Sequence, residues 1–239
     1  MVDEIDPNHV VHIVTDNGAN FKKVCKTISE QYEHIVWTPC LAHTINLMLK
    51  DIGQRYEHQG AIQTCKRISA WLHNHGQLNA MMRNAIGGEL VKWNATRFGT
   101  NYMFLESIYQ KREGFMQWMV SPQFLQSKWA DTEEGRFAHA RLSSIEWWEG
   151  LKYIIDTVQP VYRLLRFADQ DKKPNLCDVV YAFQTCKNEL ESFFGRNVSA
   201  WNEYRQILDA RIRDVYHGTH VGAGKNVLLF LKFSFTYAF

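Results

Sequence analysis

Two short apolar runs dominate the start of the chain. Val10-Val11-His12-Ile13-Val14 and Ile35-Val36-Trp37-Thr38 are rich in β-branched residues and too brief for helices, so residues 10–14 and 35–38 predict buried strands. Between them Phe21, Val24, Cys25, Ile28 and Tyr32 recur at helical spacing. Strand, helix and strand in that order predict a βαβ unit, and its right-handed crossover makes the two strands parallel. After Pro39, Leu41, Ile45, Met48 and Ile52 share one face of a helix that Gly53 ends, and Ile62, Cys65, Ile68 and Leu72 mark another.

From Tyr102 onward the pattern is helical. Ser143 with Glu146 reads as a capping box, followed by a stripe of Trp148, Leu151, Ile155, Val158, Tyr162 and Leu165 with a bend expected at Pro160. Val180, Phe183, Lys187, Leu190 and Phe194 place mostly apolar residues on one face of the next helix, and Trp201, Tyr204, Leu208 and Val215 do so on a third. From Leu231 the tail alternates apolar and polar like an exposed-edge strand, and the segment from Asn226, broken by Lys232, is too short to span a bilayer as a helix. The expectation is α/β, a βαβ unit within residues 1–101 followed by a mainly helical part at 102–216, with 217–239 set apart from both.

Composition narrows the classes of function. The 239 residues suffice for one good core or two small ones, and 46% hydrophobic with 22% charged residues is a globular balance. A net charge of +2 does not by itself announce nucleic-acid binding. Lys22-Lys23, Lys66-Arg67 and Lys111-Arg112 are modest clusters that read as solvated helix faces. Five scattered cysteines argue against a disulfide framework and for a reducing compartment. The acidic start after Met1 is unlike a secretory leader, so a secreted protein and a membrane partner are not expected.

Candidate chemistry gathers where the predicted strands end. The first delivers Asp16 and then breaks at Asn17-Gly18; in parallel sheets, ligands and metal ions collect at such carboxyl ends. The same triplet is also an ordinary turn with Asp16 capping the next helix, and by itself the segment favours the turn. The second strand runs into Cys40-x-x-His43 at a helix start. That spacing occurs at zinc sites, but zinc wants four ligands. Cys65 stands alone on a helix, and His73 and His75 lack a cysteine at a useful spacing, so no stoichiometric metal is expected. A small buried thiol beside a helix-start imidazole is the structural alternative.

Asp16-Asn17, then Cys40-x-x-His43, then Ala95-Thr96-Arg97-Phe98, taken in order, resemble the hAT family of DNA transposases, most closely the plant hAT-like proteins that carry a domain of unknown function. The resemblance covers roughly Asp3 to Arg211, with Phe98 where the family usually has Trp. It implies a partial ribonuclease-H-like fold carrying a helical insertion, with residues 217–239 an aberrant or truncated end, and phosphoryl transfer in which three carboxylates hold two Mg²⁺ ions. Asp16 then matches the second acid, and it would hold Mg²⁺ only if the missing acids completed the site, as in the intact family. The first acid is expected on a strand before Met1 and the third beyond the insertion, so one acid of three is expected here, with no strand transfer by the chain alone.

The resemblance also places Cys40 and His43 beside the acidic centre as hydrogen-bonding groups. Arg97 would contact phosphate and Phe98 would stack on an unpaired base, a contact worth about 1–3 kcal/mol per base. Trp93 could take that stacking role if its loop brings it there; packing within the chain is an equal alternative for both rings. The reading that follows is a degenerate or domesticated transposase remnant, nuclear or nucleocytoplasmic, with weak or vestigial DNA binding and self-association or a full-length transposase-like protein as its partners. A self-standing protein-interaction module, with Asp16 a turn residue, is the competing class, and a nuclease completed in trans is a third.

Overall fold

The computed structural model describes residues 5–91, 93, 98–170, 176–223 and 231–232. The chain is mostly helical, with a small parallel sheet near its start. By compactness it divides into two units, residues 1–48 with 163–239 and residues 49–162. This partition by contact runs differently from the motif-based one drawn at residues 101 and 216.

In the first unit, β1 (His12–Thr15) leads through α1 (Ala19–Gln31) to β2 (Val36–Pro39). The two strands are parallel, with His12 opposite Val36 and Thr15 opposite Pro39. The expected strands are thus present, displaced by one or two residues from the apolar runs. Val10 and Ile35 stay buried just outside them and pack with Ile13 and Cys25. A short β3 (Leu231–Lys232) pairs parallel with the other side of β1, which makes β1 the central strand in the order β2-β1-β3.

The α1 stripe is only half used. Cys25 is buried and Ile28 and Tyr32 pack on the strands, whereas Phe21 and Val24 are exposed. Length explains this: thirteen helical residues span about 20 Å, and four strand residues about 13 Å. Because α1 starts at the carboxyl end of β1, its first turn has no sheet beneath it.

Two further helices belong to this unit, α10 (Leu176–Phe194) and α11 (Val198–Ala223). They pack on one another, and α11 also lies against β2. The buried face of α10 is Val179, Phe183, Cys186, Leu190 and Phe194. The expected Val180 instead points outward, and Lys187 reaches Asp209 of α11 at 2.8 Å. On α11, Trp201, Tyr204, Leu208 and Val215 are buried as their spacing predicts, together with Ile212.

The second unit is helical. α2 (Leu41–Gly53) and α9 (Ile145–Ala168) each have one end in it, and between them run α3 (Tyr56–Asn74), α4 (Gly76–Ile86), α5 (Phe98–Gln110), α6 (Arg112–Met119), α7 (Pro122–Leu125) and α8 (Glu133–Leu142). Its core joins Cys65, Ile68 and Leu72 of α3 to Leu78 and Met82 of α4, Phe104 of α5, Phe115 and Met119 of α6 and Trp148 and Leu151 of α9. The capping box shifts by one residue. Ser144 Oγ accepts from the Trp147 N–H at 3.1 Å and donates to Glu146, while Ser143 bonds back to His139 O and closes α8. α9 runs unbroken through Pro160.

Close packing fixes one glycine of this unit and leaves another free. A Cβ on Gly114 of α6 would lie 2.8 Å from Ala85 O and 2.9 Å from Ile86 Cα, both backbone atoms, whereas one on Gly150 of α9 would meet nothing within 4 Å. Gly150→Ala should therefore raise stability by about 0.5–1 kcal/mol through helix propensity. Gly114→Ala should lower it by about 1–3 kcal/mol, because α4 and α6 must move apart. Urea unfolding of the two variants checks the opposite signs.

His58 of α3 is buried, with Nε2 3.5 Å from Thr157 Oγ1. Burial holds its pKa down to about 4, partly offset by the nearby Glu57 carboxylate. The unfolded chain takes up this proton near pH 6.5, so stability is full above that pH and falls between 6.5 and 4. The loss should reach about 3 kcal/mol at pH 4. The wild-type stability minus that of His58→Gln, measured at pH 7 and pH 4, should shrink by that amount; a difference independent of pH would refute the assignment.

Candidate functional site at the strand ends

Parallel pairing brings the two strand-end motifs to one edge. Thr15 faces Pro39 in register, and the Cys40 N–H donates to Thr15 O at 2.6 Å. Asp16 and Cys40 are therefore the first residues past the ends of neighbouring strands, and His43 follows within the first turn of α2. The carbonyl of Cys40 accepts from the N–H and the hydroxyl of Thr44, at 2.9 and 3.0 Å, which anchors that first turn to the end of β2.

The carboxylate of Asp16 is exposed, and its Oδ1 accepts from the Gly18 N–H at 2.9 Å. This is the turn geometry that an Asp-Asn-Gly triplet favours. Gly18 is held close, since a Cβ there would sit 3.0 Å from that same oxygen. Beneath the turn, Trp37 Nε1 donates to Thr15 Oγ1 at 2.9 Å, and the Thr15 hydroxyl donates to Asp16 O at 3.0 Å. Nearby in sequence, Asn17 Oδ1 is buried without a hydrogen-bond partner, and so is Asn46 Oδ1 on α2.

Thr15 and Trp37 support the edge and were not among the residues singled out by motif. Their signal was present in register and period: Trp37 sits opposite Ile13, and Thr15 lies two residues further on the same face. His12 is a third such residue. Its Nε2 lies 2.8 Å from Thr38 Oγ1 on β2, and burial lowers its pKa, which favours the neutral ring.

The metal-ligand question turns on what converges. Cys40 and His43 are half-buried, and among the described residues no three His, Cys, Asp or Glu side chains are grouped to hold a metal ion. His73 and His75 spend Nδ1 on the carbonyls of Ser69 and Trp71 in their own helical unit, at 2.7 and 2.9 Å, and Cys65 is buried in that unit's core. One exposed carboxylate with an oxygen tied to Gly18 does not fit a centre built for two hard cations, which needs several oxygen ligands.

The third motif lies mostly outside the described residues. Arg97 lies outside the described residues, and Phe98 is described only as the first residue of α5. Trp93 belongs to the helical unit, where its Nε1 donates to Asn101 Oδ1 at 2.7 Å and Lys66 Nζ stands 3.6 Å above the ring.

Comparison with known proteins adds one finding. Residues 1–74 match the family DUF659, a domain of unknown function. This domain is found in plant hAT-like, transposase-like proteins. The matched span takes in β1, α1, β2, α2 and α3, hence both strand-end motifs. No curated protein and no solved structure matches the chain.

Chain purified without added metal should carry well under one equivalent of zinc by elemental analysis. A full equivalent, lost in Cys40→Ser or His43→Ala, would make the pair metal ligands rather than hydrogen-bonding groups.

Proposed function

We propose that this chain is a hAT-transposase-like segment, a partial ribonuclease-H-like unit with a helical insertion, whose role is binding of nucleic acid or protein rather than strand transfer. The observation that carries the reading is the placement of Asp16 and Cys40-x-x-His43 past the carboxyl ends of two neighbouring parallel strands. The DUF659 match over that same span supports it. In this reading Asp16 is the residual acid, Cys40 and His43 order the edge, and Arg97, Phe98 and Trp93 are the nucleic-acid contacts. In this reading the protein is nuclear or nucleocytoplasmic and binds DNA weakly, with self-association or a full-length transposase-like protein as its partners.

The loss of catalysis is argued from the donor set. Two-metal phosphoryl transfer requires carboxylates on both cations, and at this edge the chain supplies Asp16, already engaged by Gly18. Purified chain incubated with Mg²⁺ or Mn²⁺ and a hairpin or terminal-repeat DNA should give no cleavage on a denaturing gel. Cleavage that disappears in Asp16→Asn would overturn the proposal, because it would demonstrate a complete centre.

A further inference from the structure

The helical unit holds an open cleft of about 660 Å³. One face of α3 supplies Lys66, Ser69 and His73 to it, α4 supplies Asn79, and Trp93 forms a wall. The volume lies within the range of small-molecule sites, roughly 300–1,000 Å³. Trp93 is 39% exposed, so part of its ring is open to a ligand, while the bond from Nε1 to Asn101 fixes its orientation.

The charges around the cleft are unequal. Glu89 also lines it, but its carboxylate is paired with Arg83 at 2.8 Å. Lys66 has no carboxylate partner among the described residues; its ammonium rests 3.6 Å from the Trp93 ring centre, and partial burial lowers its pKa. His73 Nδ1 is 2.7 Å from the carbonyl of Ser69, which can only accept. The proton is therefore on Nδ1, and Nε2 is the nitrogen left for a ligand. The cleft thus offers an aromatic face, one unanswered cation, an imidazole nitrogen, a hydroxyl and a carboxamide.

We propose that this cleft binds a nucleotide unit, with its base stacked at Trp93, its base edge at Asn79 and its phosphate at Lys66. A planar ring entering over the indole replaces the Lys66 cation–π contact with stacking and releases the ammonium to the phosphate, so neither group is left without a partner. A side-chain amide offers a donor and an acceptor side by side, which suits the edge of a base. The same chemistry is presented by a free mononucleotide and by one residue of a single strand, and the open cleft admits both. For the single strand the proposal rests on the nucleic-acid-binding reading above; for the free mononucleotide it stands alone.

The test titrates the full chain with adenosine monophosphate by calorimetry and with a labelled single-stranded oligonucleotide by fluorescence anisotropy. Wild type is compared with Lys66→Ala, Trp93→Ala and Trp93→Phe, each checked for folding by thermal melting. At least one probe should bind, Lys66→Ala and Trp93→Ala should each weaken it roughly ten-fold or more, and Trp93→Phe, which keeps a ring, should retain most of the affinity. If Trp93→Ala fails to fold, Lys66→Ala and Trp93→Phe still decide. Binding of neither probe overturns the cleft. Oligonucleotide binding unchanged in the variants also overturns it but leaves the nucleic-acid reading standing. Mononucleotide binding lost in the variants, with no oligonucleotide binding, supports the cleft and overturns that reading.

Discussion

The parallel pairing of β1 with β2 is the constraint on which the sheet unit depends. Parallel neighbours cannot be joined by a tight turn, so the chain must cross over, and α1 is that crossover. The same pairing forces both carboxyl ends to one edge, where the backbone turns away and its polar groups need new partners. The Cys40 N–H finds Thr15 O, the Gly18 N–H finds Asp16, and the Cys40 carbonyl receives Thr44. Asp16 and Cys40 are thus both chemical candidates and parts of the hydrogen bonding that ends the strands.

The helical unit obeys a different constraint, close approach of helices around a large apolar cluster. Gly114 allows α6 to reach the backbone of α4, and the aromatic rings of Trp71, Trp118 and Phe124 meet edge to face at 5.3–6.5 Å. A core of this kind excludes charge, and His58 shows the consequence in a pKa held far below its solution value. The polar side of α3 is left to the cleft, where Ser69 and His73 stand one and two turns past Lys66 on the same face.

The two units therefore divide the candidate chemistry. The strand-end edge carries an acid, a thiol and an imidazole, with Asp16 engaged by the Gly18 N–H. The cleft carries a cation and an aromatic face with unspent capacity. The DUF659 match covers the first site and only part of the second.

Hydrophobic periodicity by itself determined the βαβ order, the parallel sense of the strands, the succession of helices and the position of Asp16 and Cys40-x-x-His43 at strand ends. These are local or nearly local properties, set by where apolar side chains must point along a helix or strand. What lies opposite a face was decided only by tertiary structure. Val179 rather than Val180 is buried because α11 packs against that side of α10, and Phe21 and Val24 are exposed because α1 outruns its strand. Ser144 rather than Ser143 caps α9, because Ser143 is already spent closing α8. The pairing of Lys66 with Trp93 joins residues 27 positions apart, and no sequence period links a helix face to a distant ring.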